Sequence, residues 1–329
     1  MTEKVRVGFI GCGSIARGHA CNLAQIEEAE IVALCDVNPE MIDKFKRAAP
    51  ETTDCPVFDD YRQMLDSVDM DAVEIHTPHT LHFEQALASL KKGVHVLVEK
   101  PMVCRVEHAR ELIAEAEARN RIVLVSYQRH YQPEYLYIKK TIESGELGEV
   151  HFISALQCQN WMRSQWGKWR LDPALSGGGQ LNDSGSHLLD IILWTTGLSV
   201  KEVQAFIDNR GTKVDINSAL SLRFNNGAQG SISVVGDAPV GFWEDLTIWG
   251  TDGMIFYRNG ELMHKRYTGE MLKVMGLPSS NMNPDRNFIN AILGKEEVQS
   301  PASCGLRVIE LTETAWRSAK TGKVEKVRV

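Results

Sequence analysis

Lys100 stands in the run Val96-Leu97-Val98-Glu99-Lys100-Pro101, and Asp183 and His187 stand four apart just after Gly177-Gly178-Gly179. Histidine takes a proton near neutral pH, and a neighbouring carboxylate orients it and stabilises its charged form. On a helix, a spacing of four puts Asp183 and His187 on one face. Three glycines give a loop that can pass close to a ligand. On spacing alone, the commoner reading of the pair is a helix cap by Asp183 with a structural His187. The Glu99–Lys100 pair likewise reads equally well as an ion pair before a helix.

A second group is less ambiguous. Gly11-Cys12-Gly13-Ser14-Ile15-Ala16 is G-x-G-x-x-A, placed directly after a strand-like run and opening a helical one. Gly11 allows the tight turn, Gly13 lets the backbone approach a pyrophosphate, and the small Ala16 lets helix pack on strand. The exposed N–H groups at the helix start favour an anion. Asp36, ending the next strand-like run, can accept hydrogen bonds from ribose hydroxyls and would repel a 2′-phosphate; Val37 and Asn38 offer no compensating cation. The expectation is a dinucleotide site for NAD in preference to NADP.

The elements that must position these groups follow from periodicity. Up to residue 125, β-branched runs alternate with amphipathic stretches, which indicates βαβ units and a parallel sheet with ligands at its carboxyl edge. After residue 126, alternating runs follow one another with turn signals at Asn225-Asn226-Gly227 and Asn259-Gly260, which favours antiparallel pairing. The expected fold class is α/β: an N-terminal Rossmann doubly wound parallel sheet over 1–126, and over 127–329 a C-terminal α+β domain with a large, mostly antiparallel open sheet.

Composition excludes other classes. With 329 residues, 43% apolar and 24% charged, the chain has the make-up of a soluble globular protein of about two domains. A net charge of −7 argues against binding nucleic acid, and no apolar run is long enough to span a membrane. The amino-terminal run lacks the order of a secretory signal. Seven scattered cysteines with no C-x-x-C spacing read as reduced thiols in a cytoplasmic protein. His76, His79 and His82 span a strand end, a proline loop and a helix start, so no metal site is expected.

Taken together, VGFIGCGSIARGHA, CDVNP, the loop Ile75 to His82, VEKPM and SGGGQLNDSGSHLLD resemble the Gfo/Idh/MocA family of oxidoreductases over nearly the whole chain. The resemblance implies that Lys100, Asp183 and His187 are catalytic. His187 is then the proton acceptor, a role that could instead fall to Lys100, and Asp183 binds and orients a substrate hydroxyl. It implies cofactor contacts from Gly11, Gly13, Ser14, Ile15, Asp36, Thr77, Pro78, His79, His82, Glu99, Lys100 and Gln128. Arg129, Trp166 and Arg170 join Asp183 and His187 as substrate candidates. His130 stands where the family often has arginine. The aromatic and basic run from Trp161 to Arg170 reads equally as a sugar-stacking surface and as a packed loop with snorkelling cations. The implied assembly is a homodimer or homotetramer through the C-terminal sheet.

The expected activity is hydride transfer between a secondary alcohol of a sugar, sugar derivative or cyclitol and NAD(H). An NAD-dependent glycosidase working by transient sugar oxidation and elimination would use the same three residues. A non-catalytic nucleotide sensor that borrows the fold would need loss of this set, and all three residues are present here.

Overall fold

Apolar runs without polar alternation make interior strands of a parallel sheet. The computed structural model describes residues 4–327, and six such strands pair in it. They are β1 (Val5–Ile10), β2 (Ala29–Cys35), β3 (Val57–Phe58), β4 (Ala72–Ile75), β5 (His95–Val98) and β6 (Val123–Val125). Their order is β3-β2-β1-β4-β5-β6 with every neighbour parallel. Helices α1 (Ser14–Leu23), α2 (Pro39–Ala48), α3 (Tyr61–Ser67), α4 (His82–Lys91) and α5 (Val106–Arg119) connect them. Asn38 and Asp60 cap α2 and α3 through the N–H groups of Glu40 and Arg62. Val7, Phe9, Ile75 and Leu97 are fully buried, each contributing about 1.5–3 kcal/mol. The strand order reverses between β1 and β4, the switch point where such sheets hold ligands.

The later strands are β7 (Val150–Cys158), β8 (Val200–Asp208), β9 (Asn217–Phe224), β10 (Gln229–Val235), β11 (Trp243–Gly250), β12 (Gly253–Arg258), β13 (Glu261–Arg266), β14 (Leu272–Lys273) and β15 (Glu325–Lys326). They form one nine-stranded sheet, β14-β13-β12-β11-β7-β10-β9-β8-β15, antiparallel except for β7 beside β10. Asn259 and Gly260 both take positive φ, 45° and 88°, as a two-residue hairpin turn requires. In β9, Ser218, Leu220, Leu222 and Phe224 are buried between outward neighbours. Helices α6 (Pro133–Glu143), α7 (Trp161–Ser164), α8 (Pro173–Ser176) and α9 (Gly185–Thr196) belong with this sheet.

The chain divides into two compact units. The first runs to Gln128 and also takes in Asn281–Leu306; the second holds Arg129–Ser280 and the chain from Arg307 onward. Helix α10 (Pro284–Ile292) lies in the first unit, where Phe288 and Ile289 are buried with Val7, Phe9, Leu97 and Leu124. Helix α11 (Ala302–Thr321) begins there, and its later part belongs to the second unit. There Ser318 Oγ accepts the Ala205 N–H at 3.0 Å. A single boundary near residue 126 therefore does not describe the first unit, because burying α10 completes its core. All seven cysteines are free thiols, and Cys12, Cys35, Cys104 and Cys304 are buried.

Candidate active site

In the first unit, each position of the glycine motif has a distinct physical cause. Gly11 has φ +90°, and a Cβ there would lie 2.9 Å from the backbone of His76 and Thr77. It is fixed by the neighbouring loop. Gly13 precedes α1 and supplies no side-chain cap, and a Cβ there would meet nothing within 4 Å. That opening, with an uncapped helix start behind it, fits a pyrophosphate. Ala16 is fully buried, as close helix–strand packing demands. Ser14 and Ile15 are exposed on the first turn.

Asp36 is held in place from both sides. Its carboxylate accepts the Cys12 N–H and the Asn38 N–H, each at 2.8 Å. A cleft of about 630 Å³ opens beside it, lined by Val37, Ile42, Lys46, Phe58 and Gln63 among others. Lys46 donates to the carbonyls of Thr53 and Cys55 at 2.8 and 3.3 Å. Burial, then the charge of Asp36, pushes the Cys12 thiol far up; burial lifts Cys35 to about 12. Neither is a nucleophile at neutral pH.

The loop after β4 is braced against the loop after β5. His82, fully buried, places Nδ1 2.9 Å from the Pro101 carbonyl and Nε2 2.9 Å from the Thr77 carbonyl. Thr77 Oγ1 donates to Gln85 at 2.6 Å. Thr77 and Pro78 are half-buried and His79 is buried. His76 turns instead to Glu74 and His19. The three histidines therefore do not converge on one point. Glu99 is buried and Lys100 half-buried at the end of β5, and Gln128 is half-buried.

In the second unit, the glycine loop is shaped by its own neighbours. A Cβ on Gly178 would come 2.5 Å from the Trp316 ring, and one on Gly179 would come 1.9 Å from the Asp215 carbonyl oxygen. Buried Asp215 accepts the Gly179 and Leu181 N–H groups at 2.9 and 2.7 Å and the Trp316 indole at 3.0 Å. At Gly178 and Gly179 the space beside the backbone is therefore taken by Trp316 and Asp215, and Asp215, 36 residues from Gly179, has no local signal in the sequence.

That clamp sets the following turn. Asp183 lies just ahead of α9, and the residue at the cap position is Ser184. The Asp183 carboxylate oxygen Oδ2 accepts from Trp161 Nε1 at 2.8 Å and Arg170 Nε at 2.9 Å. Two donors hold it as an oriented anion. His187 is half-buried in the first turn of α9. Arg170 also stacks on Trp169, 4.3 Å from the ring centroid. Trp166 is 69% exposed. Arg129 pairs with Glu244 at 2.6 Å, and His130 bonds Asp190 at 2.7 Å while stacking on Trp194.

A glycine turn at the switch point, with an acidic residue closing β2, is the arrangement of a dinucleotide-binding sheet. The chain belongs to the Gfo/Idh/MocA family: residues 5–127 match its NAD-binding Rossmann domain and residues 135–256 its C-terminal domain. It is 30% identical to D-glucoside 3-dehydrogenase of Escherichia coli over 206 residues, 62% of this chain and 58% of that enzyme's length. It is 26% identical to myo-inositol 2-dehydrogenase of Thermotoga maritima over 261 residues, 78% of this chain and 75% of that one. The crystal structure of the WlbA dehydrogenase from Bordetella pertussis, in complex with NADH and UDP-GlcNAcA, is 26% identical; the match covers 99% of this chain and 100% of that one, with a TM-score of 0.87. Among the described residues, no helix is long and apolar enough to cross a membrane.

Proposed function

We propose that this protein is an NAD-dependent dehydrogenase that oxidises a secondary alcohol of a sugar, sugar derivative or cyclitol in the cytoplasm. The observation that carries the reading is Asp183, fixed by Trp161 and Arg170 and four residues before His187, in a chain whose other unit carries the nucleotide turn and Lys100. Relatives named for glucosides and inositol support the substrate class.

Bound NAD+ supplies the hydride acceptor. Asp183 accepts a hydrogen bond from a substrate hydroxyl. His187 takes the proton of the hydroxyl being oxidised, and Lys100 donates a hydrogen bond to that oxygen. Gly11, Gly13, Ser14 and Ile15 hold the pyrophosphate; Thr77, Pro78, His79, His82, Glu99 and Gln128 frame the nicotinamide end. Of the substrate candidates, Trp166 is the exposed aromatic surface, while Arg170 acts by orienting Asp183. Asp36 selects NAD over NADP by repelling a 2′-phosphate.

Assembly into a homodimer or homotetramer uses the outer face of the nine-stranded sheet. There Phe206 is 73% exposed and Phe152 packs edge-on to Trp249.

His187→Ala should lower turnover by about 10²–10⁴-fold with NAD+ affinity unchanged. Wild-type turnover in that variant would remove His187 from the chemistry. NADP+ binding tighter than NAD+ would overturn the role of Asp36.

A further inference from the structure

Behind Lys100, the first unit buries an ionic network of which the mechanism above uses only Glu99. His19 of α1 is 3% exposed. Its Nδ1 lies 2.6 Å from Asp285 Oδ1 and 3.7 Å from Glu74 Oε2; its Nε2 lies 3.1 Å from Glu99 Oε1 and 3.3 Å from Ser126 Oγ. Asp285 Oδ2 accepts from Asn22 Nδ2 at 2.8 Å. Glu74 Oε2 also lies 3.2 Å from His76 Nε2. Glu99 Oε2 accepts the backbone N–H of Lys100 at 3.1 Å. Asp285 arrives on α10, from the segment that returns to this unit.

An imidazole with a carboxylate oxygen on each nitrogen donates from both, and so carries a proton on each. Burial alone would pull His19 down, but the charge of Asp285 and the hydrogen bonds to Asp285 and Glu99 hold it well above its ordinary value. Burial would raise Glu99; the hydrogen bond and charge of His19, then the Lys100 ammonium, keep it well below the carboxylate range. Glu74 goes the other way, kept protonated by burial and by Asp285. His76 is kept neutral by burial and by the charge of His19. The cations His19 and Lys100 thus balance the anions Glu99 and Asp285. These side chains are also of metal-ligand type. However, two ligands about 2.0–2.1 Å from a tetrahedral ion stand about 3.3 Å apart, and the 2.6 Å contact is that of a shared proton.

We propose that His19 is a positioning residue for Lys100: gripped by Asp285 on one side, it fixes the Glu99 carboxylate, whose other oxygen holds the peptide N–H from which Lys100 projects. The inference rests on the reading that Lys100 serves the substrate. Its reach is the reacting end of Lys100, with no contact between His19 and the substrate.

The test uses the full chain. Wild-type protein labelled with ¹⁵N-histidine should show one imidazole still protonated on both nitrogens at pH 8.5, absent in His19→Gln. Turnover of His19→Gln should fall about 10- to 100-fold, the range for a small misplacement of a reacting group, with NAD+ affinity retained. Glu99→Gln breaks the link between His19 and the Lys100 peptide, so the rate at which Lys100 reacts with acetic anhydride at pH 8, read by mass spectrometry, should change. A neutral His19 in the wild type overturns the inference, as does wild-type turnover with unchanged Lys100 labelling in both variants. Altered Lys100 labelling in a protein that oxidises no sugar would keep the inference and reject the dehydrogenase reading.

Discussion

Arg129 and Glu244 meet at 2.6 Å in the interior of the second unit, their side chains 12% and 2% exposed. Tyr135 donates to the same carboxylate and lies under the guanidinium. Breaking a buried pair by removing one partner costs about 3–5 kcal/mol, because the other charge stays buried. Arg129→Met should therefore lower the melting temperature sharply, and adding Glu244→Met should recover part of the loss. If Arg129 instead bound substrate, the single variant would keep its stability and raise KM.

The two glycine motifs make opposite predictions. At Gly13 a Cβ meets nothing within 4 Å and φ is −68°, so Gly13→Ala should leave the melting temperature unchanged while weakening NAD+ binding, measured by calorimetry. At Gly179 the added carbon would overlap the Asp215 backbone, so Gly179→Ala should destabilise the chain. Equal melting temperatures for both variants would contradict this account.

The glycine turn was legible because strand, turn and helix lie within one short window, and local chemistry dictates each position. The strands β1 to β6 were legible for the same reason, apart from the two-residue β3, too short for any periodicity. The setting of Asp183 was not. Its donors Trp161 and Arg170 lie 22 and 13 residues away, and only tertiary packing selects them. Asp285, 266 residues from His19, shows the limit most clearly: α10 reads as an ordinary amphipathic helix, and nothing local says that it returns to the first unit.

His95 gives a pH test. Burial, then the charge of Arg121, lowers it from its ordinary 6.5 to about 4, and its Nδ1 accepts the Ile122 N–H at 3.0 Å. Between those pH values the unfolded chain binds a proton that the folded chain does not. Stability from this site should therefore rise with pH across that window and level off above it. Unfolding free energies of His95→Asn, which retains an acceptor, should show a flatter rise; a curve parallel to the wild type would refute the assignment.

His82 ties two loops together through the Thr77 and Pro101 carbonyls. Burial holds His82 below its ordinary value, so the neutral ring donates to one carbonyl; a net hydrogen bond is worth about 0.5–1.5 kcal/mol, and His82→Ala should cost about that much in urea unfolding and weaken NAD+ binding. A variant that loses neither would make the bridge incidental.

The central claim is that the chain moves a hydride from a sugar carbinol to NAD+. The most direct measurement is near-ultraviolet absorbance after mixing the protein with NAD+ and a panel of inositols, aldoses, glycosides and sugar acids. The account predicts a rise in reduced nicotinamide with at least one class and none with NADP+ at equal concentration. A flat trace across the panel from protein that retains NAD, above all with aglycone released from the glycosides, would contradict it.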